Sequence, residues 1–435
     1  MASRSERAQV KHYSYWLDTL PEKLDDGAES TELEARADVV VVGAGYTGLS
    51  AARQLAKAGA SVVVLEREHV GFGASSRNAG QVLTGLKVDV ETLVARHGEA
   101  QARLLFDISL ESMTTLERLV ADERIDCEYE RTGHVQAAAK PSHFEALRRE
   151  QSLLARVCDH RVQLLSQADQ PRELGTSAYF GVLVDERSAA INPAKYVHGL
   201  AVAARRAGVS IRAGTSVRRF TRTGPMWTVV TDRGDIKAQD LLFATNGYST
   251  GSAPFLQRRL VPIGSYIVAT APLGEARAKQ LIPKRRMAFD SKHFLYYFRT
   301  TPDHRLLFGG RAEFSRPTEA STMRAATILR DGLAKIFPQV ADVPLEYAWS
   351  GNVAFTRDQM PRAGQIDDVY YAGGYCGHGI AMATFLGSLI ARRMAGEPIV
   401  HPFMDDRFAP IPFYNGAPWF LPLAGAYYRY RDLVD

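Results

Sequence analysis

The chain has 435 residues, of which 46% are hydrophobic and 23% are charged. These proportions are typical of a globular protein and exclude a disordered chain or a fibre, and the length predicts two structural domains. The net charge of +5, from 53 basic and 48 acidic residues, is small for this length and does not indicate a nucleic-acid-binding protein.

The three cysteines, Cys127, Cys158 and Cys376, are far apart in the sequence. Their odd number and wide spacing fit neither a disulfide framework nor a cysteine-rich metal site, and they indicate a reducing compartment. The histidines show no spacing typical of metal ligands, so we expect no metal. The first residues lack the apolar core of a signal peptide, and no stretch reaches the roughly 20 apolar residues of a transmembrane helix. We therefore expect a cytoplasmic protein with no transmembrane segment.

A dinucleotide-binding pattern begins at residue 37, with the stretch ADVVVVGAGYTGLSAARQLAKAGASVVVLERE. The apolar runs predict buried parallel strands at Asp38–Val42 and Ser61–Leu65, and the spacing of apolar residues predicts a helix at Tyr46–Ala58. The turn between the first strand and the helix contains glycines in GxGxxG spacing, namely Gly43, Gly45 and Gly48. Such glycines permit a tight turn, close approach of the backbone to a pyrophosphate, and close packing of the helix. The pyrophosphate would lie at the helix N-terminus.

Glu66 directly follows the second predicted strand. A carboxylate at this position can bind both ribose hydroxyls, and it disfavours a 2′-phosphate and hence NADP. Strand, turn, helix, strand and acid all agree, so the pattern predicts a bound dinucleotide. The alternative is a βαβ unit with an incidental glycine turn.

Two further glycine-rich stretches favour FAD over NAD. The first, GFGASSRNAGQV at 71–82, suits a backbone that wraps around a long ligand, although a mobile surface loop is the alternative. The second, YYAGGYCGHGIAMATFLGSLIARRMAG at 370–396, predicts a strand, a turn and a helix whose N-terminus can stabilise a reduced isoalloxazine ring. Its alternative is a buried interdomain helix. No second GxGxxG and no CxxxxC pair occurs, which disfavours a disulfide reductase and leaves FAD as the only nucleotide.

Together these motifs resemble the D-amino acid oxidase superfamily of FAD-dependent amine oxidoreductases, and within it the gamma-glutamylputrescine oxidase group. The resemblance extends over nearly the whole chain and includes RIDCEYERTGHVQAA at 124–138, YYFRTTPDHRLLFGGR at 296–311 and WSGNVAFTRDQMPRAG at 349–364. It implies an α/β fold, α+β overall, with two domains and a tail. These are a discontinuous Rossmann-like FAD-binding domain (36–86, 178–250 and 345–400), an antiparallel-sheet substrate domain (87–177 and 251–344), and a C-terminal tail packed on the protein body (401–435).

The resemblance also implies the residues that contact the cofactor. Sarcosine oxidases of this superfamily tether FAD through a cysteine near the segment that corresponds to 349–364, and this segment contains none here. We therefore expect non-covalent FAD. The expected cofactor-binding residues are Gly43, Ala44, Gly45, Tyr46, Thr47, Gly48, Glu66, Arg67, Gly73, Ala74, Ser75, Asn78, Ala79, Gly80, Gln81, Val217, Ala244, Thr245, Asn246, Gly377, His378, Gly379 and Ile380.

The stretch KHFLYYFRTTPDHRLLFGGR at 292–311 predicts a β-hairpin, whose period of two places Tyr297 and Arg299 on one face. Arg299 is the predicted substrate carboxylate clamp, because a guanidinium binds carboxylate bidentately and because it matches the arginine with this role in related glycine oxidases. The alternative is an exposed strand arginine or an internal ion pair. Tyr297 is predicted to line the substrate site, with ordinary core packing as the alternative. We expect His378 to contact cofactor or backbone and assign no catalytic residue.

By this resemblance the protein oxidises the C–N bond of a small-molecule amine, such as gamma-glutamylputrescine, through an imine to an aldehyde, while O2 is reduced to H2O2. A second interpretation is an amino acid or N-methylamine dehydrogenase that passes electrons to a quinone or carrier. A third, a flavin-containing RNA-modifying protein, rests only on the basic charge, and we expect no nucleic-acid partner. The aromatic stretch FAPIPFYNGAPWFLPLAGAYYRYRDLV at 408–434 could contact a membrane or a partner, but we favour a tail packed on the body.

Overall fold

The protein is represented by a computed structural model that describes residues 10–21, 32–310 and 317–434. Its strands in chain order are β1 (Arg36–Val42), β2 (Val62–Leu65), β3 (Gln81–Val82), β4 (His134–Ala137), β5 (Gln163–Ser166), β6 (Gly181–Asp185), β7 (Ala189–Ala190), β8 (Ser210–Arg212), β9 (Val217–Thr223), β10 (Met226–Thr231), β11 (Asp235–Phe243), β12 (Val261–Thr270), β13 (Met287–Asp290), β14 (Tyr296–Thr300), β15 (Leu306–Gly310), β16 (Leu345–Phe355), β17 (Arg362–Ile366) and β18 (Val369–Gly373).

The helices lie mainly between these strands and on the faces of their sheets. In chain order they are α1 (Tyr46–Lys57), α2 (Ala74–Arg77), α3 (Val90–His97), α4 (Glu99–Glu123), α5 (Pro141–Cys158), α6 (Pro193–Arg206), α7 (Pro254–Gln257), α8 (Glu275–Leu281), α9 (Glu319–Ile336), α10 (Gly379–Met394) and α11 (Leu421–Val434). No helix of the described residues is both long enough and apolar enough to cross a membrane.

The first sheet has the strand order β17-β18-β11-β1-β2-β8, and β10 and β9 continue it from β11. The central strands β18, β11, β1, β2 and β8 are parallel, so their carboxyl ends meet at one edge of the sheet. The predicted strand–helix–strand unit is present as β1, α1 and β2, with boundaries within two residues of those predicted. This arrangement confirms the predicted α/β fold.

Close packing of α10 on α1 brings the N-termini of these two helices together. Gly387 of α10 permits this contact, because a Cβ atom there would lie 2.5 Å from the Thr47 carbonyl oxygen of α1. The Ser50 hydroxyl of α1 also donates a 2.7 Å hydrogen bond to the Thr384 carbonyl of α10. The small residues of both helices thus set where the two helix N-termini point.

The second sheet has the strand order β16-β12-β15-β14-β13-β4-β6-β5 and is antiparallel except between β13 and β4. One face is covered by α9, whose inward residues include Ala325, Leu329 and Leu333. The predicted hairpin is confirmed as β14 and β15, in which Phe298 pairs with Phe308.

Two predicted domain segments contain strands of both sheets. The segment 178–250 includes β6, and the segment 345–400 includes β16, and both of these strands belong to the second sheet rather than the first. The physical reason is that β6 and β16 pair along their length with β4 and β12. Residues 311–316 of the predicted substrate domain, the last residue of the 296–311 motif and residue 435 of the predicted tail lie outside the described residues.

Candidate functional site

A cavity of about 680 Å³ lies between the two sheets. One wall is formed by the carboxyl ends of β1, β2 and β11 and by the start of α10, and the opposite wall by β12, β14 and β16. Ligands of open parallel sheets bind at this edge, outside the carboxyl ends of the strands. The cavity is thus where the fold and the glycine-rich motifs both predict a bound nucleotide.

The β1–α1 turn approaches the cavity through its glycines. Gly43 has φ +107°, a left-handed conformation that glycine adopts readily, and a Cβ atom there would lie 3.0 Å from the Ala244 carbonyl oxygen. Gly48 lies one turn into α1, where a Cβ atom would stand 1.9 Å from the Gly43 carbonyl oxygen. The helix can therefore begin directly against the turn, with its first N–H groups near the cavity.

Glu66 lines the cavity at the end of β2, as the sequence predicts. One oxygen of its carboxylate accepts a 2.9 Å hydrogen bond from the Ala44 N–H, and the other accepts a 3.0 Å hydrogen bond from the Glu68 N–H. These two bonds fix the orientation of the carboxylate and leave lone pairs on both oxygens for ribose hydroxyls. The geometry fits the role predicted for this residue.

The glycine-rich segment 71–82 is held together by Asn78. The side-chain amide of Asn78 donates to the Ala74 carbonyl at 2.9 Å, and its oxygen accepts from the Gly80 N–H at 2.8 Å. Trp16, from the start of the described chain, donates its indole N–H to the Asn78 carbonyl at 2.8 Å. Asn78 therefore both lines the cavity and orders the turn around it.

Two loops from distant parts of the sequence meet at the other glycine-rich turn. The Asn246 side-chain oxygen accepts a 2.9 Å hydrogen bond from the Gly374 N–H. The hydroxyls of Tyr375 and Thr47 lie 2.6 Å apart, and this hydrogen bond joins the start of α1 to the turn before α10. Gly377, with φ +98°, completes that turn. The N-termini of α1 and α10 consequently face the same cavity, where both favour negative charge.

His378 stands at the N-terminus of α10 and lines the cavity. Burial, reinforced by the charges of Lys87 and His134, lowers the pKa of His378 to about 3. Its Nδ1 atom is buried and has no hydrogen-bond partner among the described residues. A neutral imidazole with an open ring nitrogen can bond to a ligand but is a poor general base near neutral pH.

Asn352 of β16 was not predicted from the sequence, although it lies within the quoted 349–364 motif. It lines the cavity, its side-chain amide donates to the Gly247 carbonyl at 3.3 Å, and its backbone N–H donates to the Tyr248 hydroxyl at 3.0 Å. Its side-chain oxygen is buried and lacks a partner within the described ranges. Because an unpaired buried oxygen is costly, a ligand N–H or O–H is the expected partner.

The two predicted substrate-binding residues occupy different environments. Tyr297 lines the cavity, and its hydroxyl lies 2.7 Å from the Ser265 hydroxyl of β12. Arg299 is 4% exposed, is not part of the cavity lining, and donates to the carbonyls of Gly80 and Ile191 at 3.0 and 3.1 Å. Burial lowers the pKa of Arg299 to about 10. The structure therefore places this arginine behind the cavity wall, where its guanidinium supports the 71–82 segment.

Two ionisable side chains of the cavity wall were not predicted from the sequence, because they come from segments that are far apart in the chain. Burial raises the pKa of Asp290 to about 6, although its carboxylate lies 2.9 Å from the Lys292 ammonium. Burial and the neighbouring Asp89 raise the pKa of Glu150 to about 7. No local motif marks either of them, since Glu150 is covered where α5 packs against α3, and Asp290 where β13 pairs with β4 and β14.

Most of the predicted cofactor residues line the cavity, and three stand directly behind it. Ala44 holds Glu66, Gly48 packs α1 on its turn, and Gly80 receives the Arg299 hydrogen bond. Those that line the cavity are Gly43, Gly45, Tyr46, Thr47, Glu66, Arg67, Gly73, Ala74, Ser75, Asn78, Ala79, Gln81, Val217, Ala244, Thr245, Asn246, Gly377, His378, Gly379 and Ile380.

These residues fit FAD in three respects. The glycine turns leave room at the N-termini of the helices, and Glu66 offers an oriented carboxylate. Two buried polar atoms, His378 Nδ1 and the side-chain oxygen of Asn352, have no hydrogen-bond partner among the described residues. Cys376 also lines the cavity, but its thiol donates to the Gly374 carbonyl at 3.2 Å and burial raises its pKa. A thiol with a raised pKa is a weak nucleophile, which is in keeping with the expectation of non-covalent cofactor.

Comparison with known proteins agrees with this site. Residues 38–393 match the DAO family, described as FAD dependent oxidoreductase. Gamma-glutamylputrescine oxidoreductase of Escherichia coli strain K12 is 34% identical over 403 residues, which are 91% of this chain and 92% of that protein. Among solved structures, glycine oxidase from Geobacillus kaustophilus superposes with a TM-score of 0.73 at 20% identity, covering 87% of this chain and 99% of that one.

A second solved structure, L-proline dehydrogenase from P. horikoshii, superposes with a TM-score of 0.70 at 20% identity, covering 86% of this chain and 98% of that one. At such identities the two superpositions show the shared fold alone. The family match spans most of the chain, including β1, α1, the 71–82 segment and nearly all of α10. The chain therefore belongs to the DAO family of FAD-dependent oxidoreductases.

Proposed function

We propose that the protein oxidises a small-molecule amine at the carbon bound to nitrogen, with non-covalently bound FAD and with O2 as the electron acceptor. The observation that carries this proposal is the cavity in which the glycine turns of the first sheet face the antiparallel strands of the second. Gamma-glutamylputrescine, or a related amine of putrescine breakdown, is the proposed substrate. Its support is the 34% identity with the Escherichia coli gamma-glutamylputrescine oxidoreductase over 91% of this chain.

The cofactor-binding wall is proposed to act mainly through its backbone. FAD, when bound, supplies the hydride acceptor for the amine and then the electrons that reduce O2 to H2O2. Glu66 would hold the ribose, and the β1–α1 turn around Gly43 and Gly45 would hold the pyrophosphate. The start of α10 would stabilise negative charge on the reduced ring, because its unpaired N–H groups and its macrodipole favour an anion.

The opposite wall is proposed to orient the amine. The paired hydroxyls of Tyr297 and Ser265 can donate hydrogen bonds to a substrate nitrogen or accept them from it, and the open side-chain oxygen of Asn352 can accept one. Between them, Ile263 and Ile267 of β12 give this wall apolar surface that excludes water from the amine. Positioning and desolvation are thus the contributions expected from these residues.

No side chain is proposed as a general base. His378 is neutral throughout the working pH range, since its pKa is lowered to about 3. The amine must therefore lose its proton before its C–H bond is broken, and turnover is expected to rise from about pH 6 to about pH 9. Turnover that falls steadily over this range, with a stable protein, would contradict the scheme.

The test is a substrate panel with two readouts. The purified flavin-loaded protein is mixed with gamma-glutamylputrescine, putrescine, sarcosine, glycine and proline, and O2 consumption with peroxide release is compared with dye reduction under nitrogen. We expect peroxide with gamma-glutamylputrescine at the highest kcat/KM. Dye reduction without peroxide would support the dehydrogenase interpretation, and no reaction with any amine would contradict the proposal.

An Asn352→Leu variant sharpens this test. It removes the open oxygen from the cavity while keeping a side chain of similar size, so we expect kcat/KM to fall by about 10-fold to 100-fold. Asn415→Leu, at an exposed position outside the cavity lining, is the matched control and is expected to leave kcat/KM unchanged.

A further inference from the structure

The C-terminal part of the protein exposes an unusual amount of apolar side chain. Seven of the fourteen exposed large hydrophobic side chains of the described residues lie in the last 22 of those residues, whereas the others are scattered over the molecule. We call these seven the C-terminal aromatic surface: Phe413, Trp419, Leu423, Tyr427, Tyr430, Leu433 and Val434. Scattered exposed apolar residues need no explanation, but a contiguous set marks an interaction site.

Helix α11 is fixed on the protein by its opposite face. The Asp432 carboxylate accepts hydrogen bonds from the N–H groups of His293 and Phe294 at 2.7 and 2.9 Å. The Tyr428 ring packs against the His293 ring with their centroids 5.1 Å apart, and Leu421 is buried. These contacts determine which side of α11 faces outward.

The outward side is a continuous apolar stripe. Leu423, Tyr427, Tyr430 and Val434 follow the i, i+4, i+7, i+11 spacing of one helix face, and all are more than half exposed. Phe413, in the turn before α11, is 94% exposed and has φ +59°, a conformation that is costly for a bulky residue. The protein thus holds a phenyl ring in water at the expense of backbone strain.

The charged side chains near the C-terminal aromatic surface favour a lipid bilayer over a second copy of the chain as its partner. Residues 408–434 contain three charged side chains, of which Arg429 and Arg431 are the cations and Asp432 is the acid turned toward His293. Arg258, on the neighbouring turn, is exposed, and its carbonyl accepts from the Ile411 N–H at 2.8 Å. A symmetric contact places this same surface on both copies. The one acid of residues 408–434, Asp432, is already bonded to His293 and Phe294, so the arginines of one copy would find no free acid in this segment of the other. An anionic bilayer complements them instead.

We propose that the C-terminal aromatic surface docks on the headgroup region of an anionic lipid bilayer. Tryptophan and tyrosine are the residues that concentrate at membrane interfaces, because their rings are apolar and their tips are polar. An interfacial helix of this kind binds through one apolar face with cations at its edge, without crossing the bilayer. Because α11 bonds to His293, which lines the cavity, docking would bring the cavity rim near the lipid.

The test uses the full-length, flavin-loaded protein in a vesicle flotation assay. Vesicles of phosphatidylcholine alone are compared with vesicles that also contain about one third phosphatidylglycerol. We expect flotation with the anionic vesicles, weaker flotation with the neutral ones, and loss of the difference in high salt, where the Debye length is short. Absence of flotation with anionic vesicles would overturn the proposal.

Variants separate this surface from the rest of the protein. Leu423→Ser/Tyr427→Ser/Tyr430→Ser is expected to weaken vesicle binding by at least about tenfold, because the stripe supplies the apolar contact area. Met323→Ser/Ile328→Ser removes two exposed apolar side chains from α9 and is expected to bind like the wild type. Arg429→Gln is expected to weaken binding to the anionic vesicles but not to the neutral ones.

Two results would count against a lipid partner even if the protein floats. Equal binding by the triple serine variant would overturn the proposal, and so would a concentration-dependent dimer that this variant abolishes, since the surface would then belong to a second copy. Flavin content and turnover of all variants are expected to match the wild type. Failure of the lipid proposal is therefore distinguishable from failure of the proposed amine oxidation.

Discussion

The two walls of the cavity are built in different ways. The wall of the first sheet acts through backbone and glycine, as at Gly43 and Gly48, and each of its segments is contiguous in sequence. The wall of the second sheet acts through side chains such as Tyr297 and Asn352, which come from strands far apart in the chain. Backbone sites leave a local pattern in a sequence, whereas side-chain sites are assembled by the fold.

The sharpest test of the backbone wall is Gly48→Ala. A Cβ atom there would lie 1.9 Å from the Gly43 carbonyl oxygen, so α1 must move away from its turn. We expect the free energy of unfolding to fall by about 3 kcal/mol and bound flavin to be lost. Urea denaturation and the visible flavin absorbance measure the two effects.

The control for that variant is Gly251→Ala. No heavy atom lies within 4 Å of a Cβ atom built at Gly251, so the change in stability is expected to stay within about 0.5 kcal/mol. If Gly48→Ala retained flavin and unfolded like the control, the close approach of α1 to its turn would not matter for the site.

Arg299→Leu tests the buried arginine. The variant removes the side-chain donor of the buried Ile191 carbonyl and one of the two donors of the Gly80 carbonyl, which keeps the Ile191 N–H at 3.0 Å, so we expect a loss of about 2 kcal/mol of stability. It is not expected to change the ratio of KM values between amines with and without a carboxylate. Thermal denaturation and steady-state kinetics measure these quantities.

Arg148→Leu, at an exposed arginine of α5, is the matched control and is expected to change stability by less than about 0.5 kcal/mol. A stable Arg299→Leu protein with a selective defect toward carboxylate-bearing amines would instead support the predicted clamp role.

Glu66→Gln tests the side chain that assists the backbone wall. An amide has one acceptor atom where the carboxylate has two, so it cannot accept from both the Ala44 and the Glu68 N–H groups. We expect the Kd for FAD to rise by about tenfold, equivalent to about 1.4 kcal/mol. Titration of the apoprotein with FAD provides the measurement, and Glu68→Gln serves as the neighbouring control with an unchanged Kd.

Glu150→Gln is expected to give the smallest effect, on the pH dependence of stability. The pKa of Glu150 is raised to about 7 in the folded protein, so the folded state binds the proton more tightly than the unfolded state does. Stability from this group is therefore present at low pH and is lost as the pH rises through 7. Between about pH 5 and about pH 8, the free energy of unfolding of the variant is expected to fall by on the order of 1 kcal/mol less than that of the wild type.

Melting temperatures at these two pH values provide the check, and Gln is a suitable replacement because it can still accept the Val90 N–H. Parallel pH profiles for variant and wild type would show that Glu150 titrates normally and that its burial has no energetic consequence.

The features that could be predicted from the sequence are those whose physical requirements are local. The GxGxxG turn, the placement of Glu66 and the helix after Gly377 follow from residues that are neighbours in the chain, and the structure shows them as predicted. Arg299 shows the limit of this reasoning. The two strands of its hairpin were predicted. The alternation of side chains along a strand, however, does not show whether a given side chain reaches the cavity or, like Arg299, bonds to a backbone carbonyl such as that of Gly80.

Asn352 and Glu150 show a second limit. Nothing in the neighbourhood of either residue signals that its polar atoms are buried, because the burial is produced by β12, α3 and other elements that pack against them. For the same reason the segments 178–250 and 345–400 could not be divided between the two sheets from sequence alone. Strand pairing between distant residues decided which sheet received β6 and β16.

The most direct test of the account is anaerobic reduction of the bound flavin. The purified protein is mixed with gamma-glutamylputrescine without oxygen, and the visible absorbance is followed before the protein is denatured to release the cofactor. We predict bleaching of the yellow colour, its return on admission of air, and recovery of free FAD in the supernatant. A protein that holds no flavin after incubation with FAD, or a bound flavin that no amine reduces, would contradict the account.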